Sequence, residues 1–405
     1  MMSGYMYKNI GEGVITMFET VLKCTHCGKE YSLASGIYKC EKCGSPLDVK
    51  YDYSAIREII EDNDAWFREA PRLWKYWMFY PVSNLRKIVS LNEGGTRLYR
   101  MKNLEEKLGF GKLYVKNEGE NPTGAFKDRG SSVEITKALE FHARKVVVAS
   151  TGNMAASVSA YGSKAGLEVT IVVPEGTPVG KLVQAVVYGA KIKIHGSTYD
   201  EALAESERMA REEGYYLTGN YHYRVEGQKS TGFEIFDQFG FDAPDWIVVP
   251  IGAGTHLRAI WKAAKEFYEV GLIEKLPKIA GVQIEGYDAI VRAWKEKKPI
   301  EPIKAKQPTV ASAIAVKAPV DGENVLRAID ESGGYLGTVT NEEALNAGLM
   351  LGKEGLFVEP SSATALALAK NMREEGIIDK DESVVVVATG HGLKDIKTWE
   401  SFISL

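Results

Sequence analysis

The sequence predicts an α/β fold of two lobes, built on mainly parallel open sheets, with a small cysteine-bearing knuckle near its N-terminal end. Three observations carry this. The runs Lys145-Val-Val-Val-Ala-Ser150, Asp245-Trp-Ile-Val-Val-Pro250 and Val384-Val-Val-Val-Ala-Thr389 read as strands buried on both faces. Each passes straight into a glycine-containing turn, and the first two continue into small-residue or amphipathic helical patterns, the strand–turn–helix unit of a parallel sheet. A chain of 405 residues is long enough for two lobes with a substantial core. The expected division is an N-terminal segment over 1–55, a helical and strand part of the large lobe over 56–120, a small αβ lobe over 121–219, and the rest of the large lobe over 220–405.

Composition narrows the function. A formal charge of −4 provides no basic field for nucleic acid, and the cluster Lys295 to Lys298 reads as a solvated helix end. No apolar run approaches the roughly 20 residues needed to span a bilayer. Met1 to Thr20 lacks a basic segment followed by an apolar one, so a cytoplasmic enzyme with a small-molecule substrate is expected, without nucleic-acid or membrane partners.

Along the chain, the first informative element is the cysteine pattern. Cys24-x-x-Cys27 and Cys40-x-x-Cys43 are each followed by glycine, with strand-like Tyr31, Ile37 and Tyr38 between them. Two such knuckles supply four thiolates to one tetrahedral Zn²⁺. The same thiols also fit an empty or redox-labile site, and His26 reads as a bystander. From Tyr51 to about Leu85 the chain is aromatic and amphipathic, with Trp66, Trp74, Tyr76, Trp77 and Phe79. This reads as a helical segment that packs the knuckle onto the large lobe.

Leu113 to Lys116 is a strand that leads into Asn121-Pro-Thr-Gly-Ala-Phe-Lys127-Asp-Arg-Gly130. Pro122 and Gly124 force a turn, and from Ser131 the pattern is helical. Lys127 therefore sits at the mouth of a helix N-terminus, where positive charge is disfavoured. A lysine so placed is a candidate for a lowered pKa and for Schiff-base chemistry with a carbonyl or with pyridoxal phosphate. The same residues also fit a solvated lysine beside Asp128 and Arg129. Ser150-Thr-Gly-Asn153 and Gly252-Ala-Gly-Thr255 are the turns that would aim backbone N–H groups at phosphate, and Thr389-Gly-His-Gly392 ends the last strand in a hydroxyl.

Together with Glu226-Gly-Gln-Lys229 and Thr389-Gly-His-Gly-Leu-Lys-Asp395, these segments resemble the threonine synthase family of the fold-type II pyridoxal-phosphate enzymes, over about Cys24 to Lys394. The resemblance implies that Lys127 carries the cofactor as a Schiff base and that Phe126 packs beside its ring. It implies that Asn153 bonds the 3-oxygen, that Gly252, Ala253, Gly254 and Thr255 bind the phosphate, and that the Thr389 hydroxyl faces the pyridine nitrogen. It further implies a homodimer, with similar knuckles preceding the catalytic part. The implied reaction converts O-phosphohomoserine and water to threonine and phosphate. For that phospho-amino acid's own phosphate, Arg224 is the leading candidate, with Ser150 and Thr151 next; Arg224 also fits a surface ion pair with Glu226.

The chain departs from the family pattern at several positions. Arg97 stands where proline is usual, Met154 where threonine is usual, Thr218-Gly219 where an Asn-Ser pair is common, and the phosphate loop reads Gly252-Ala-Gly-Thr-His256. The sequence therefore also fits an enzyme using O-phosphoserine (a cysteate synthase or sulfhydrylase), a serine or threonine dehydratase, or a binding protein that has lost catalysis.

Overall fold

Period-2 strands with both faces apolar need cover on both sides, and the computed structural model, which describes residues 18–304 and 308–403, provides it. The reading of Met1–Thr20 falls, for residues 1–17, outside the described residues. Strands β1 (Glu19–Cys24), β2 (Glu30–Tyr31) and β3 (Leu47–Tyr51) form a small antiparallel sheet in the order β2-β1-β3. Strands β4 (Leu98–Arg100) and β5 (Lys112–Asn117) precede the Lys127 turn. Strands β6 (Lys145–Ala149), β7 (Glu168–Val173), β8 (Lys191–Ile194) and β9 (Tyr216–Leu217) make a parallel four-stranded sheet, order β8-β7-β6-β9. Strands β10 (Trp246–Pro250), β11 (Lys278–Ile284), β12 (Tyr335–Val339) and β13 (Ser383–Ala388) join β5 and β4 in a six-stranded sheet, order β12-β11-β10-β13-β5-β4, in which only β4 runs antiparallel.

Alternation along each central strand divides the core. Val385 and Val387 of β13 and Ile247 and Val249 of β10 face one apolar cluster, while Val384, Val386, Trp246 and Val248 face another. In the smaller sheet, Val146 and Val148 face one side, and Val147 and Ala149 the other. The aromatic segment packs as expected: Trp66, Tyr76 and Phe79 are buried, and the Tyr76 and Phe79 rings lie against Phe233 and Phe267.

Two local expectations are corrected. Ile37 and Tyr38 are not strand; β2 stops at Tyr31, and the closing strand is β3, after the second knuckle. The chain needs Gly36 and a bend there to bring Cys40 back to Cys27, and Tyr38 instead turns inward, its hydroxyl accepting the Leu217 N–H at 3.0 Å. The helix after the Pro122–Gly124 turn begins at Lys127, not Ser131.

That helix, Lys127–Glu140, packs tightly on the helix His222–Gln228. A Cβ on Gly227 would lie 2.1 Å from the Arg129 carbonyl oxygen, and one on Gly130 would lie 2.6 Å from Arg224 Cγ. Beneath the turn, the fully buried Arg129 guanidinium pairs with Glu118 and with Glu234 (Nη1 to Oε1, 2.7 Å), and Lys116 completes the cluster on Glu234 at 2.8 Å. Charges without water must be paired, so this cluster ties the start of the Lys127 helix to β5.

Candidate active site

The turn that presents Lys127 is stitched from both sides. Thr123 donates its N–H and its hydroxyl to Asp128, both at 2.6 Å, and Gly124 adopts φ 84°. Phe126 N–H donates to the Thr389 carbonyl at 3.0 Å, and His391 N–H to the Gly124 carbonyl at 2.9 Å. The end of β13 is thereby docked onto the lysine turn. Lys127 is partly accessible, with Nζ 4.3 Å from the centre of the Phe126 ring. Desolvation first and the Arg224 guanidinium second lower its amine from 10.5 to about 7, against a smaller opposing effect of Glu359.

Two long helices start beside this amine without a side-chain cap. Thr255–Glu269 follows Gly254, whose φ of 97° and whose missing Cβ (it would lie 2.8 Å from Val325 Cγ2) let the loop close over Val325 and Asp321. Asn153–Lys164 follows Gly152. Uncapped helix starts leave N–H groups for an anion. The loop 252–255 and the segment Ser150–Asn153 are the two stretches that lead into these starts. Next to the first loop, the neutral His256 ring stacks on Phe126 at 3.9 Å and 12°, while its Nε2 meets the Thr231 hydroxyl at 3.0 Å. Burial and the nearby Lys127 and Arg129 hold its pKa well below the usual imidazole range.

The structure brings Phe126, Lys127, Asn153 and Thr389 together and adds residues that the sequence reading missed. Asn153 Nδ2 donates to both oxygens of Glu359, at 2.9 and 3.1 Å. The Thr389 hydroxyl lies 2.9 Å from Ser362 Oγ, which also accepts the Gly390 N–H at 2.8 Å. Lys394 Nζ donates to the Thr123 carbonyl at 2.8 Å and to Gln184. Glu359 and Ser362 belong to Val358-Glu-Pro-Ser-Ser362, where the only sequence signal is a proline suited to a helix start.

Arg224 does not form the surface pair with Glu226 that is the alternative to its reading as a phosphate ligand. It is fully buried; Nη2 pairs with Glu134 and meets Ser131 Oγ at 3.2 Å, and Nη1 donates to the Lys127 carbonyl at 3.3 Å. Glu226 is taken instead by Lys229 and Lys262, each at 2.6 Å. Arg224 Nε has no hydrogen-bond partner among the described residues. Of the departing positions, Met154 packs into the apolar core beside β6, the Thr218 hydroxyl donates to the Val147 carbonyl at 3.1 Å, and Gly219 N–H donates to Glu134 at 2.9 Å.

Apart from this cleft, the Sγ atoms of Cys24, Cys27, Cys40 and Cys43 lie within 4.8 Å of one another, all as free thiols. Gly28 and Gly44, with φ of 71° and 72°, turn each knuckle back. No helix among the described residues is long and apolar enough to cross a membrane.

The chain matches the family model for pyridoxal-phosphate dependent enzymes over residues 89–390. It is 46% identical to the threonine synthase of Methanocaldococcus jannaschii over 377 residues, covering 92% of each chain. It is 45% identical to the threonine synthase of Methanosarcina acetivorans over 380 residues, covering 93% of each. Among solved structures, maize serine racemase superposes with a TM-score of 0.66 at 23% identity, over 76% of this chain and 92% of that one, a likeness of fold. The family model over residues 89–390 and identities of 45–46% across more than nine-tenths of the chain, on a fold that docks the Lys127 turn against Thr389, place the chain in the threonine synthases of the pyridoxal-phosphate dependent enzyme family.

Proposed function

We propose that this chain is a threonine synthase, a pyridoxal-phosphate dependent lyase that converts O-phosphohomoserine and water to threonine and phosphate. The observation that carries the reading is the pair of helix starts without a side-chain cap, at Asn153 and Thr255, because a phosphorylated substrate and a phosphorylated cofactor require two anion positions. Gly252, Ala253, Gly254 and Thr255 would hold the cofactor's phosphate, Asn153 its 3-oxygen, and Thr389 its ring nitrogen. Bound there, pyridoxal phosphate supplies an electron sink for negative charge at the substrate carbons. A hydroxyl at Thr389 leaves that sink milder than a carboxylate would. Lys127 Nζ, its pKa lowered to about 7, is the base placed to take the substrate's Cα proton and return it later. Ser150, Thr151 and the open start at Asn153 would orient the substrate's phosphate. Arg224 would act from beneath, by its charge and by its bond to the Lys127 carbonyl.

The test is direct. O-Phosphohomoserine should release phosphate and yield threonine in equal amounts. Faster turnover of O-phosphoserine with sulfite or sulfide would replace this reading with a cysteate synthase or sulfhydrylase. Ammonia release from unphosphorylated serine or threonine alone would make the chain a dehydratase.

The four thiolates are assigned to a structural Zn²⁺. A tetrahedral ion with Zn–S bonds of about 2.3 Å needs sulfurs roughly 3.8 Å apart, and the closest pairs here lie at 3.5 and 3.6 Å. A cytoplasmic setting, which keeps thiols reduced, suits four cysteines that share one ion. Fresh, unchelated protein should contain one zinc per chain, and clearly less would count against the site. Cys40→Ser should lower the unfolding midpoint by at least about 5 °C, at about 2–4 °C per kcal/mol for a larger domain.

A further inference from the structure

The cleft holds a buried carboxylate to which the reaction above gives no role. Glu359 precedes the helix Pro360–Glu374, and its backbone N–H is fixed by the Gly390 carbonyl at 3.0 Å. Its two oxygens face a single nitrogen, Asn153 Nδ2. Space for this exists only because residue 390 has no side chain: a Cβ there would lie 2.6 Å from Glu359 Oε2. Burial pushes the carboxyl up to about 7, and the Asn153 amide is the strongest of the influences that hold it down, ahead of Lys394 and Lys127.

An amide that faces a carboxylate has one good orientation. With Nδ2 inward it donates to the ionised carboxylate; turned over, its carbonyl oxygen would meet two acceptor oxygens of that form and no donor. One N–H of Nδ2 is spent on Glu359, and the second remains for the cleft. A donor stabilises an oxyanion, whereas a carbonyl at the same place would require a protonated partner.

We propose that Glu359 is a positioning residue that locks the Asn153 amide with its N–H side toward the cleft, so that the cofactor's 3-oxygen is held deprotonated. This rests on the reading that Asn153 faces that oxygen. The protein reconstituted with pyridoxal phosphate reports it by absorption, as the ratio of the visible band of the form with a deprotonated 3-oxygen to the near-ultraviolet band of the form with a 3-hydroxyl. Asn153→Ala and Glu359→Ala should each lower that ratio by at least about five-fold, and the double variant should go no further than Asn153→Ala alone. Glu359→Gln keeps an acceptor oxygen for Nδ2 and should retain the wild-type ratio. A shift in Asn153→Ala without one in Glu359→Ala overturns the proposal and leaves the reading of Asn153 standing; no shift in Asn153→Ala removes both. If Glu359→Gln shifts as far as Glu359→Ala, the carboxylate acts by its own charge and the proposal falls. Should Glu359→Ala fail to fold, Gly390→Ala displaces the carboxylate without removing it and must give the same shift; a wild-type spectrum there overturns the proposal.

Discussion

Lys127→Ala is expected to lower turnover by at least about 1,000-fold, since it removes both the covalent anchor of the cofactor and the base that moves the substrate proton. The fold should survive, because among the described residues Lys127 Nζ makes no hydrogen bond or ion pair and meets only the Phe126 ring, whereas its neighbours Asp128 and Arg129 are bonded in the core. Circular dichroism and the unfolding midpoint check that half of the expectation. Borohydride should fix the cofactor on a Lys127 peptide in the unaltered protein, and fixation at another lysine would sink the assignment. Only the neutral amine attacks a carbonyl, so capture of pyridoxal phosphate by the cofactor-free protein should rise with pH through an inflection near 7. The same lowering has a stability sign. Between about 7 and 10.5 the unfolded chain binds a proton that the folded one does not, so this group makes the cofactor-free protein more stable as pH rises across that window.

Arg224→Ala is expected to cost about 3–5 kcal/mol of stability, because it leaves Glu134 buried without its counter-charge. Thermal unfolding measures this, and Arg224→Met combined with Glu134→Gln should recover most of it. Removing the guanidinium also takes away one of the two causes that lower the Lys127 amine, so the inflection of cofactor capture should move to higher pH. A rise in KM of ten-fold or more with an unchanged unfolding midpoint would reverse this account and make Arg224 a direct ligand of the substrate's phosphate. The distinction matters because a raised KM alone would not separate a lost ligand from a loosened lysine helix.

Much of this molecule was legible in its sequence where a local rule sufficed. The valine-rich strands were readable because a strand covered on both faces must be apolar along its length, as β10 is throughout and β13 is from Val384 onward. The lysine turn and the two glycine loops were readable because proline and glycine fix backbone angles locally, and the cysteine knuckles because metal spacing repeats within a few residues. Glu359, Ser362 and His256 were not legible as site residues. Glu359 reaches Asn153 across 206 positions of chain, and no spacing rule links residues that meet only when two sheets are assembled. Arg224 shows the opposite case. Its residue type and neighbourhood suggested a phosphate ligand or a surface pair with Glu226, and only the crossing of two helices at Gly130 and Gly227 decided that the guanidinium is buried against Glu134. That crossing brings the helices close enough to bury the guanidinium, and a buried charge must find its counter-charge within the protein.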